Sequence, residues 1–517
     1  MLHVVERLTF GPRPGDLQHV EKIGVERFIQ EQLYPERMPE PDLLQAQLDA
    51  LTTLQQSPLS LLQTYQPMLR DLRQLQRAAK AMGKDSDNPD QKIQDSPEMQ
   101  QLKLKLRVPA VEASQARLLR AIESPRQLQE VMTDFWFNHF NIYQQKELDR
   151  FLVGSYEEQA IRPYALGRFR DLLGATAHHP AMLIYLDNWL NTAPDSPGTR
   201  GQFKGLNENY ARELMELHTL GVDNGYTQDD VIALAKILTG WGLPKRGAAA
   251  LRRQQFGQGG FQAQFQPDPS GFYFDASRHD NGNKTFLGHQ LHGAGQQEGE
   301  QALDMLARHP ATAKHLAFEL AQYFVSDNPP PELVNRLTQT YLSTDGDIRK
   351  VLNVLFHSPE FRNPQFYGAK YKTPYHYLIS SVRATGMPVQ NVFPISGLLQ
   401  QLGMPLYGCL TPDGYKNTAE AWMGPDALAK RLNFATLLAQ TGLRLDQPPP
   451  DWQNGDKPQA GLKQLMKHAG SGSFIDPQVL EETYQRQFSE KTLQAVQETQ
   501  PALRSALLLG SPERMHY

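Results

Sequence analysis

The chain has 517 residues, of which 40% are hydrophobic and 21% are charged, and its formal net charge at pH 7 is −4. This composition is that of a globular protein, and the length predicts roughly two to four domains or lobes. The 52 basic residues are balanced by 56 acidic residues, which is evidence against a dedicated nucleic-acid-binding protein because such proteins carry a basic domain.

There is a single cysteine, Cys409. One chain therefore cannot supply the thiolates of an iron–sulfur cluster or a zinc ribbon, nor the two cysteines that attach a c-type haem. No run of about 18 apolar residues is present, so no membrane-spanning helix is expected. The first residues lack the pattern of a signal peptide, so we expect either a cytosolic protein or an exported one whose leader was removed.

Apolar spacing predicts mostly helices along the first half of the chain. An N-terminal helical segment, 1–77, is followed at 78–100 by a polar stretch that we interpret as an exposed, mobile insertion. A central helical core is predicted over 101–385 and carries the candidate site. Helices are predicted in these two helical parts at 16–33, 61–77, 102–119, 128–140, 299–309, 311–325 and 345–356.

Only one small β structure is expected. Residues 244–270 are rich in Gln and Gly and predict a loop, after which two short aromatic runs, 271–275 and 284–288, are predicted to pair as a β-hairpin. A C-terminal helical lobe is expected over 386–517, with a turn at Pro412-Asp-Gly, helices at 426–440 and 477–509, and a linker at 447–457. The expected fold is therefore mainly α, a multi-helix globular protein.

A polar helix is predicted over 207–221, because Asn207 can cap its start and Gly221 can adopt the left-handed conformation at its end. At about 100° per residue, four polar residues share one side of it: Asn209, Arg212, Glu213 and Glu216. The two glutamates are candidates for acid–base chemistry or metal binding. Ion pairs of Arg212 with its neighbours four residues away are the structural alternative. His218 lies on the opposite, apolar side and is predicted to be a packing histidine.

Two further segments carry candidate residues. His139 lies among aromatic residues, three positions from Trp136, and is either an acid–base group or metal ligand or a core histidine bonded to a backbone carbonyl. His279 and Asp280 lie in a loop just before Lys284, and loops often carry functional residues. Phosphate-binding, dinucleotide-binding and nucleophile-elbow motifs are absent from the sequence.

Together these motifs resemble an uncharacterised bacterial family, domain of unknown function 1800 (DUF1800). The matches run in order from about residue 5 to 514. They include Leu8-Thr-Phe-Gly-Pro, Phe135-Trp-Phe-Asn-His-Phe, Arg212-Glu-Leu-Met-Glu-Leu-His-Thr-Leu-Gly, Lys284-Thr-Phe-Leu-Gly and Ser358-Pro-Glu-Phe. The resemblance implies one helical unit and, usually, a periplasmic or secreted protein. It also implies a partner, because the family is often encoded beside an exported, alkaline-phosphatase-like family. No catalytic residue is carried over from it.

Two functions remain open. The first is an extracytoplasmic enzyme whose pocket gathers His139, Glu213, Glu216, His279 and Asp280, with a divalent metal as its expected cofactor if His and carboxylate ligands converge. The second is a non-catalytic helical partner or assembly factor for an exported protein, which predicts an exposed apolar groove and no convergent polar pocket. Neither a nucleic acid nor a membrane span is expected in either case.

Overall fold

The fold was analysed in a computed structural model that describes residues 1–84, 96–222, 224–244, 268–449, 474–485 and 487–517, except the side chains of 82–84. The prediction of a mainly α fold is confirmed, since helices predominate and the sheets in these ranges are two short antiparallel pairs. None of the described helices is long and apolar enough to cross a membrane.

In the described residues, helices α1 to α13 precede the first strand. They are α1 (Leu2–Leu8), α2 (Asp16–Ile23), α3 (Val25–Leu33), α4 (Asp42–Asp49), α5 (Pro58–Lys84), α6 (Pro97–Lys105), α7 (Val108–Glu123), α8 (Gln127–His139), α9 (Asp149–Ser155), α10 (Phe169–His178), α11 (Pro180–Tyr185), α12 (Asn209–Glu216) and α13 (Gln228–Ile237). A π turn, Tyr156–Ile161, continues α9.

In the part of the chain that the structure describes, helices α14 to α25 follow the strands. They are α14 (Gln296–Arg308), α15 (Pro310–Phe324), α16 (Pro331–Ser343), α17 (Ile348–Phe356), α18 (Pro374–Thr385), α19 (Phe393–Gln401), α20 (Ala419–Trp422), α21 (Pro425–Ala439), α22 (Pro477–Thr483), α23 (Glu490–Glu498), α24 (Pro501–Leu509) and α25 (Pro512–Met515). Short 3₁₀ turns occur at Pro35–Arg37, Thr52–Gln55, Arg162–Tyr164, Asn188–Leu190, Ala276–Arg278 and Pro364–Phe366.

Several predicted helices are divided by local backbone features. The helix predicted over 16–33 is two helices, because Gly24 adopts a positive φ of 86° between them. The helix predicted over 477–509 is three helices, of which the last begins with Pro501; proline favours the first turn of a helix but not its interior. The predicted mobile insertion at 78–100 is partly helical, since α5 continues to Lys84 and α6 begins at Pro97, and its residues 85–95 lie outside the described residues.

The predicted strands are present, but they do not pair with each other. The strand β2 (Tyr273–Phe274) pairs with β1 (Trp241–Gly242), and β3 (Lys284–Phe286) pairs with β4 (His289–Leu291). The second pair closes tightly because Leu287 and Gly288 both have positive φ, 47° and 76°, as a two-residue type I′ hairpin requires. Residues 245–267 of the predicted loop and 450–457 of the predicted linker lie outside the described residues.

A buried network of charged side chains stabilises the centre of the fold. Arg162 binds three carboxylates: it donates to Glu157 at 2.8 Å and to Glu158 at 3.2 Å, and it also pairs with Glu130. Glu157 accepts a second hydrogen bond from Arg117 at 3.0 Å. The π turn after α9 places the two consecutive glutamates where both reach Arg162. This network lies directly beneath the candidate site, because Arg117 also lines it.

The buried carboxyl of Asp149, in contrast, has no arginine partner in the described parts of the chain. Asp149 is fully buried, and neither of its carboxylate oxygens has a hydrogen-bond partner among the described residues. Burial raises the pKa of Asp149 well above its usual value, although nearby Lys146 opposes this shift. Above about pH 4 the carboxyl ionises in the unfolded chain and stays neutral in the folded one, so folding loses stability as the pH rises towards the folded-state pKa.

Asp149→Asn is therefore expected to stabilise the protein at pH 7.5 by at least about 1 kcal/mol, because the amide has the same shape but no charge to bury. At pH 4 the gain should be much smaller. Urea unfolding of both proteins at the two pH values measures the difference. A variant that is no more stable than the wild type at pH 7.5 would contradict this account of Asp149.

Candidate functional site

The main candidate site is a partly enclosed cavity of about 260 Å³. Four parts of the chain form most of it: the end of α8, the middle of α15, the start of α18 and the segment 404–417. Arg117 of α7, Leu217 and Tyr517 complete the lining. The polar residues that line it are Arg117, Asp134, Asn138, His139, Asn141, His315, Glu319, Gln322, Tyr323, Thr373, Tyr375, His376, Tyr407, Asp413, Tyr415, Lys416, Asn417 and Tyr517.

The predicted turn at Pro412-Asp-Gly forms one wall because Asn138 holds it. Asn138 donates to the carbonyl of Tyr415 at 2.8 Å and accepts from the Tyr415 amide at 2.7 Å. Gly414 has φ of 68°, and a Cβ at this position would lie 2.3 Å from the carbonyl oxygen of Asn138. Only glycine fits there, so it allows the turn to approach α8 closely.

His139 lies at the end of α8 with both ring nitrogens engaged. Its Nδ1 is 2.8 Å from Oε2 of Glu319, and its Nε2 is 3.2 Å from the carbonyl oxygen of His218. A backbone carbonyl and an ionised carboxylate can only accept, so both nitrogens carry a proton when Glu319 is ionised. In that state His139 is the positive partner of Glu319, and since both ring nitrogens are engaged, neither is free to act as a base.

Glu319 is the carboxylate that this arrangement presents to the cavity. Burial opposes its ionisation, but the neighbouring His139, His315 and Lys416 together lower its pKa below the usual value. His315, one helical turn earlier on α15, has its Nε2 3.7 Å from the other carboxylate oxygen. The Glu319 side chain is 30% exposed, so it remains accessible from the cavity. An ionised carboxylate in such a position can accept a proton.

The floor of the cavity consists of a buried ion pair and tyrosine rings. Arg117 pairs with Asp134 and lies over the rings of Tyr375 and Tyr407, at 5.3 Å from each centroid. Tyr407 donates its hydroxyl to Glu157 at 3.0 Å, which links the floor to the buried ion network. The guanidinium also lies 4.9 Å from the ring centroid of Phe137, so it holds three aromatic rings and two carboxylates in a fixed arrangement.

The predicted polar helix is shorter than 207–221. Its regular part is α12, Asn209–Glu216, and its end widens, because the amides of both Leu217 and His218 donate to the carbonyl of Glu213. The N-cap position is Glu208, whose side chain makes no capping hydrogen bond, and not the predicted Asn207. Asn207 lies one position earlier, and its side chain accepts from the Asn209 amide at 3.0 Å. The widened end carries the His218 carbonyl towards His139.

The polar side of α12 is mostly accounted for by local contacts. Arg212 pairs with Glu208 at 3.3 Å and with Glu216 at 3.4 Å, and Asn209 donates to the carbonyl of Leu186 at 3.1 Å. Glu213 is half-buried and has no hydrogen bond or ion pair within the described residues. Burial, followed by the nearby Glu216, raises the pKa of Glu213. Arg212 lowers this pKa to a smaller extent, and the cavity residue Asp413 raises it slightly. Glu213 thus lies near the cavity but does not line it.

His218 is almost completely buried at the apolar side of α12, where its ring centroid lies 6.1 Å from that of His139. Burial, together with His139 and His315, lowers the pKa of His218 well below its usual value. It is therefore neutral, and its contribution to the site is its backbone carbonyl.

His279 and Asp280 form a separate cluster and are not among the residues that line the cavity. His279 lies with Nδ1 2.9 Å from the carbonyl of Thr239 and Nε2 3.6 Å from Glu298. Glu298 in turn accepts from Lys284 at 2.8 Å. Asp280 accepts from the amide of Gly282 at 2.9 Å. These contacts fix the loop before β3, so the structure brings only His139 of the predicted catalytic residues into the cavity.

The most important residues of the cavity were not predicted. Glu319 and His315 lie four positions apart on a helix that the sequence identifies only by its apolar spacing. An i, i+4 His/Glu pair is a recognisable signal, but it is common on exposed helices. Nothing in the local sequence shows that residue 319 meets residue 139.

A metal centre does not fit the observed donors. Among the described residues, no three His, Cys, Asp or Glu side chains are grouped so as to hold a metal ion. At the cavity both ring nitrogens of His139 are already used, which leaves His315 and Glu319 as an incomplete set.

The fold and the site define a mainly α-helical protein whose polar cavity is assembled from distant parts of the chain. The chain belongs to the family described as protein of unknown function (DUF1800), whose model matches residues 3–516. The membership predicted from the sequence motifs is thus confirmed. Comparison with curated proteins and with solved structures found no match.

Proposed function

We propose that this protein is an enzyme that uses Glu319 as a general acid–base catalyst on a small substrate bound in the cavity. The observation that carries the proposal is the position of Glu319, whose carboxylate lines the cavity with its oxygens 2.8 Å from Nδ1 of His139 and 3.7 Å from Nε2 of His315. Glu319 is an accessible carboxylate in a partly enclosed cavity, and His139, His315 and Lys416 lower its pKa. Such tuned carboxylates in concave sites are typical of catalytic centres.

Hydrolysis is the reaction class that best suits this arrangement. Glu319 accepts a proton from a water molecule while the water oxygen bonds to the electrophilic atom of the substrate. The bond to the leaving group then breaks, and the proton passes from Glu319 to that group. His139 is a positioning residue, because it contacts Glu319 and not the reacting atoms.

The family resemblance supports a further part of the proposal, that the enzyme acts outside the cytoplasm of a bacterium, near an exported alkaline-phosphatase-like protein. The alternative, a non-catalytic assembly factor, requires an exposed apolar face. Leu428 and Leu432 on α21 and Leu503 and Leu507 on α24 are exposed leucines on helices that pack together. Among the described residues nothing shows what would cover these leucines, whereas the cavity is formed by described polar residues. We therefore favour the enzyme over the assembly factor.

The proposal is tested with chromogenic carboxylic esters, phosphate esters, glycosides and peptides. Wild-type protein is expected to turn over at least one class, and Glu319→Gln should lower kcat/KM by about 10²- to 10⁴-fold, the usual contribution of a general acid–base group. Glutamine keeps the shape of the side chain and an oxygen for His139, so folding should be preserved.

The matched control is Glu300→Gln. Glu300 also pairs with a histidine, His178, at 2.8 Å, but it does not line the cavity, so its replacement should leave turnover within about twofold of the wild type. Activity that survives in Glu319→Gln, or no turnover of any of the four classes by the wild type, would contradict the proposal.

A further inference from the structure

We infer that the cavity takes an uncharged ligand with several hydroxyl groups, namely a single neutral sugar unit. This inference rests on the proposed function, because it names the substrate class of the same cavity. Three independent features of the lining support it: paired charges, unpaired neutral polar groups, and aromatic rings in a small volume.

The charged side chains of the lining are already paired. Arg117 pairs with Asp134 and with Glu157, His139 and His315 lie 2.8 Å and 3.7 Å from the two oxygens of Glu319, and Lys416 lies 2.8 Å from Asp413. Each of these basic side chains of the lining thus has a carboxylate partner. An anionic or cationic ligand would lose its hydration and meet no unpaired opposite charge, which is unfavourable.

Apart from the Nε of Arg117, whose guanidinium is already paired with two carboxylates, the polar groups that remain without a partner are neutral. The hydroxyls of Tyr323 and Tyr517 have no hydrogen-bond partner in the described parts of the chain, and burial raises the pKa of both, so both stay protonated. Two neutral atoms of the lining, Nε2 of His376 and Oδ1 of Asn417, are buried without a partner among the described residues, and burial keeps His376 neutral by lowering its pKa. Buried polar groups are normally hydrogen-bonded. A ligand with several hydroxyls can donate to some of these groups and accept from others.

The remaining lining suits the apolar face of a sugar ring. Phe135, Tyr323, Tyr375, Tyr415 and Tyr517 all line the cavity, and each offers an apolar ring next to a polar edge or neighbour. The volume of about 260 Å³ lies just below the range of roughly 300–1,000 Å³ typical of pockets for drug-sized ligands. It therefore fits one small unit rather than an extended chain.

Binding is measured by isothermal titration calorimetry on the wild-type protein with the methyl glycosides of glucose, galactose and N-acetylglucosamine. Glucuronate, glucosamine and glucose 6-phosphate are the charged counterparts. At least one neutral sugar should bind saturably at millimolar concentration or below. Its charged counterparts should bind at least tenfold more weakly.

Tyr323→Phe and Tyr517→Phe remove one hydroxyl each and keep the ring, so each should weaken binding of the neutral sugar about 2- to 13-fold. Tyr341→Phe is the matched control, because the Tyr341 hydroxyl donates to the Ala307 carbonyl at 2.8 Å and Tyr341 does not line the cavity. It should leave binding unchanged.

The inference is overturned if only charged sugars bind, if no neutral sugar binds, or if both Tyr→Phe variants bind as tightly as the wild type. The two proposals fail separately. Turnover of a non-sugar substrate that depends on Glu319 would keep the proposed function and overturn the sugar inference. If a neutral sugar binds but no turnover depends on Glu319, the sugar inference stands and the proposed function is overturned.

Discussion

Arg162→Met is expected to lower the free energy of unfolding by about 3–5 kcal/mol, the typical cost of removing one partner of a buried ion pair. Three carboxylates bind this guanidinium, and two of them, Glu130 and Glu157, are buried. Glu157 and Glu158 keep other arginines as partners, namely Arg117 and Arg120, whereas Glu130 has hydrogen bonds only to Arg162 among the described residues. Burial already raises the pKa of Glu130, so the loss of Arg162 leaves a buried charge that is costly to keep.

The midpoint of urea or thermal unfolding measures this loss. A second substitution, Glu130→Gln, made in the Arg162→Met protein, should recover part of the stability because it removes the uncompensated charge. Arg336→Met is the matched surface control: Arg336 binds Glu360 at 2.7 Å, but its side chain is 40% exposed, so the cost should stay below about 1 kcal/mol. Equal effects of the two arginine variants would contradict the importance of the buried network.

His139→Gln is expected to move the acid limb of the activity profile to higher pH. His139 is the strongest of the groups that lower the pKa of Glu319 against the effect of burial. Without it the carboxyl holds its proton to higher pH, so a Glu319 base is lost earlier as the pH falls. Each unit of such a shift lowers the rate on the acid side of the profile tenfold. In the wild type, the contact with His139 contributes stability above the pKa that Glu319 has in the unfolded chain, and this contribution is lost as the pH falls. His139→Gln should remove it.

The pH dependence of kcat/KM, measured with whichever substrate class the wild-type protein turns over, tests this shift. His178→Gln removes the histidine partner of Glu300 outside the cavity and should leave the acid limb in place. An acid limb that is the same in His139→Gln and in the wild type would show that His139 does not set the charge of Glu319.

Local signals in the sequence predict local structure well. Thr227 and Asp230, three positions apart, form a capping box, and the helix Gln228–Ile237 begins there. The turn at Pro412-Asp-Gly is present as well, since the Gly414 amide donates to the carbonyl of Thr411. Each of these features depends on contacts between residues only a few positions apart, which is why spacing alone predicts them.

The candidate site depends on contacts that spacing cannot predict. His139 and Glu319 are 180 positions apart, and their pairing follows from the way α8 and α15 pack in the fold. The same limit explains His279, whose loop position predicted an accessible site. In the structure its side chain is fully buried beside Glu298, so it stabilises the loop.

The most direct test of the central claim is the proton count on His139. In protein labelled with ¹⁵N-histidine, NMR at pH 7 distinguishes a ring with two protons from a neutral tautomer, and His139→Gln assigns the signal. We predict two protons on the His139 ring in the wild type and a neutral ring in Glu319→Gln, where the carboxylate is gone. A neutral His139 in the wild-type protein would contradict the claim that Glu319 faces the cavity as a carboxylate paired with a positive histidine.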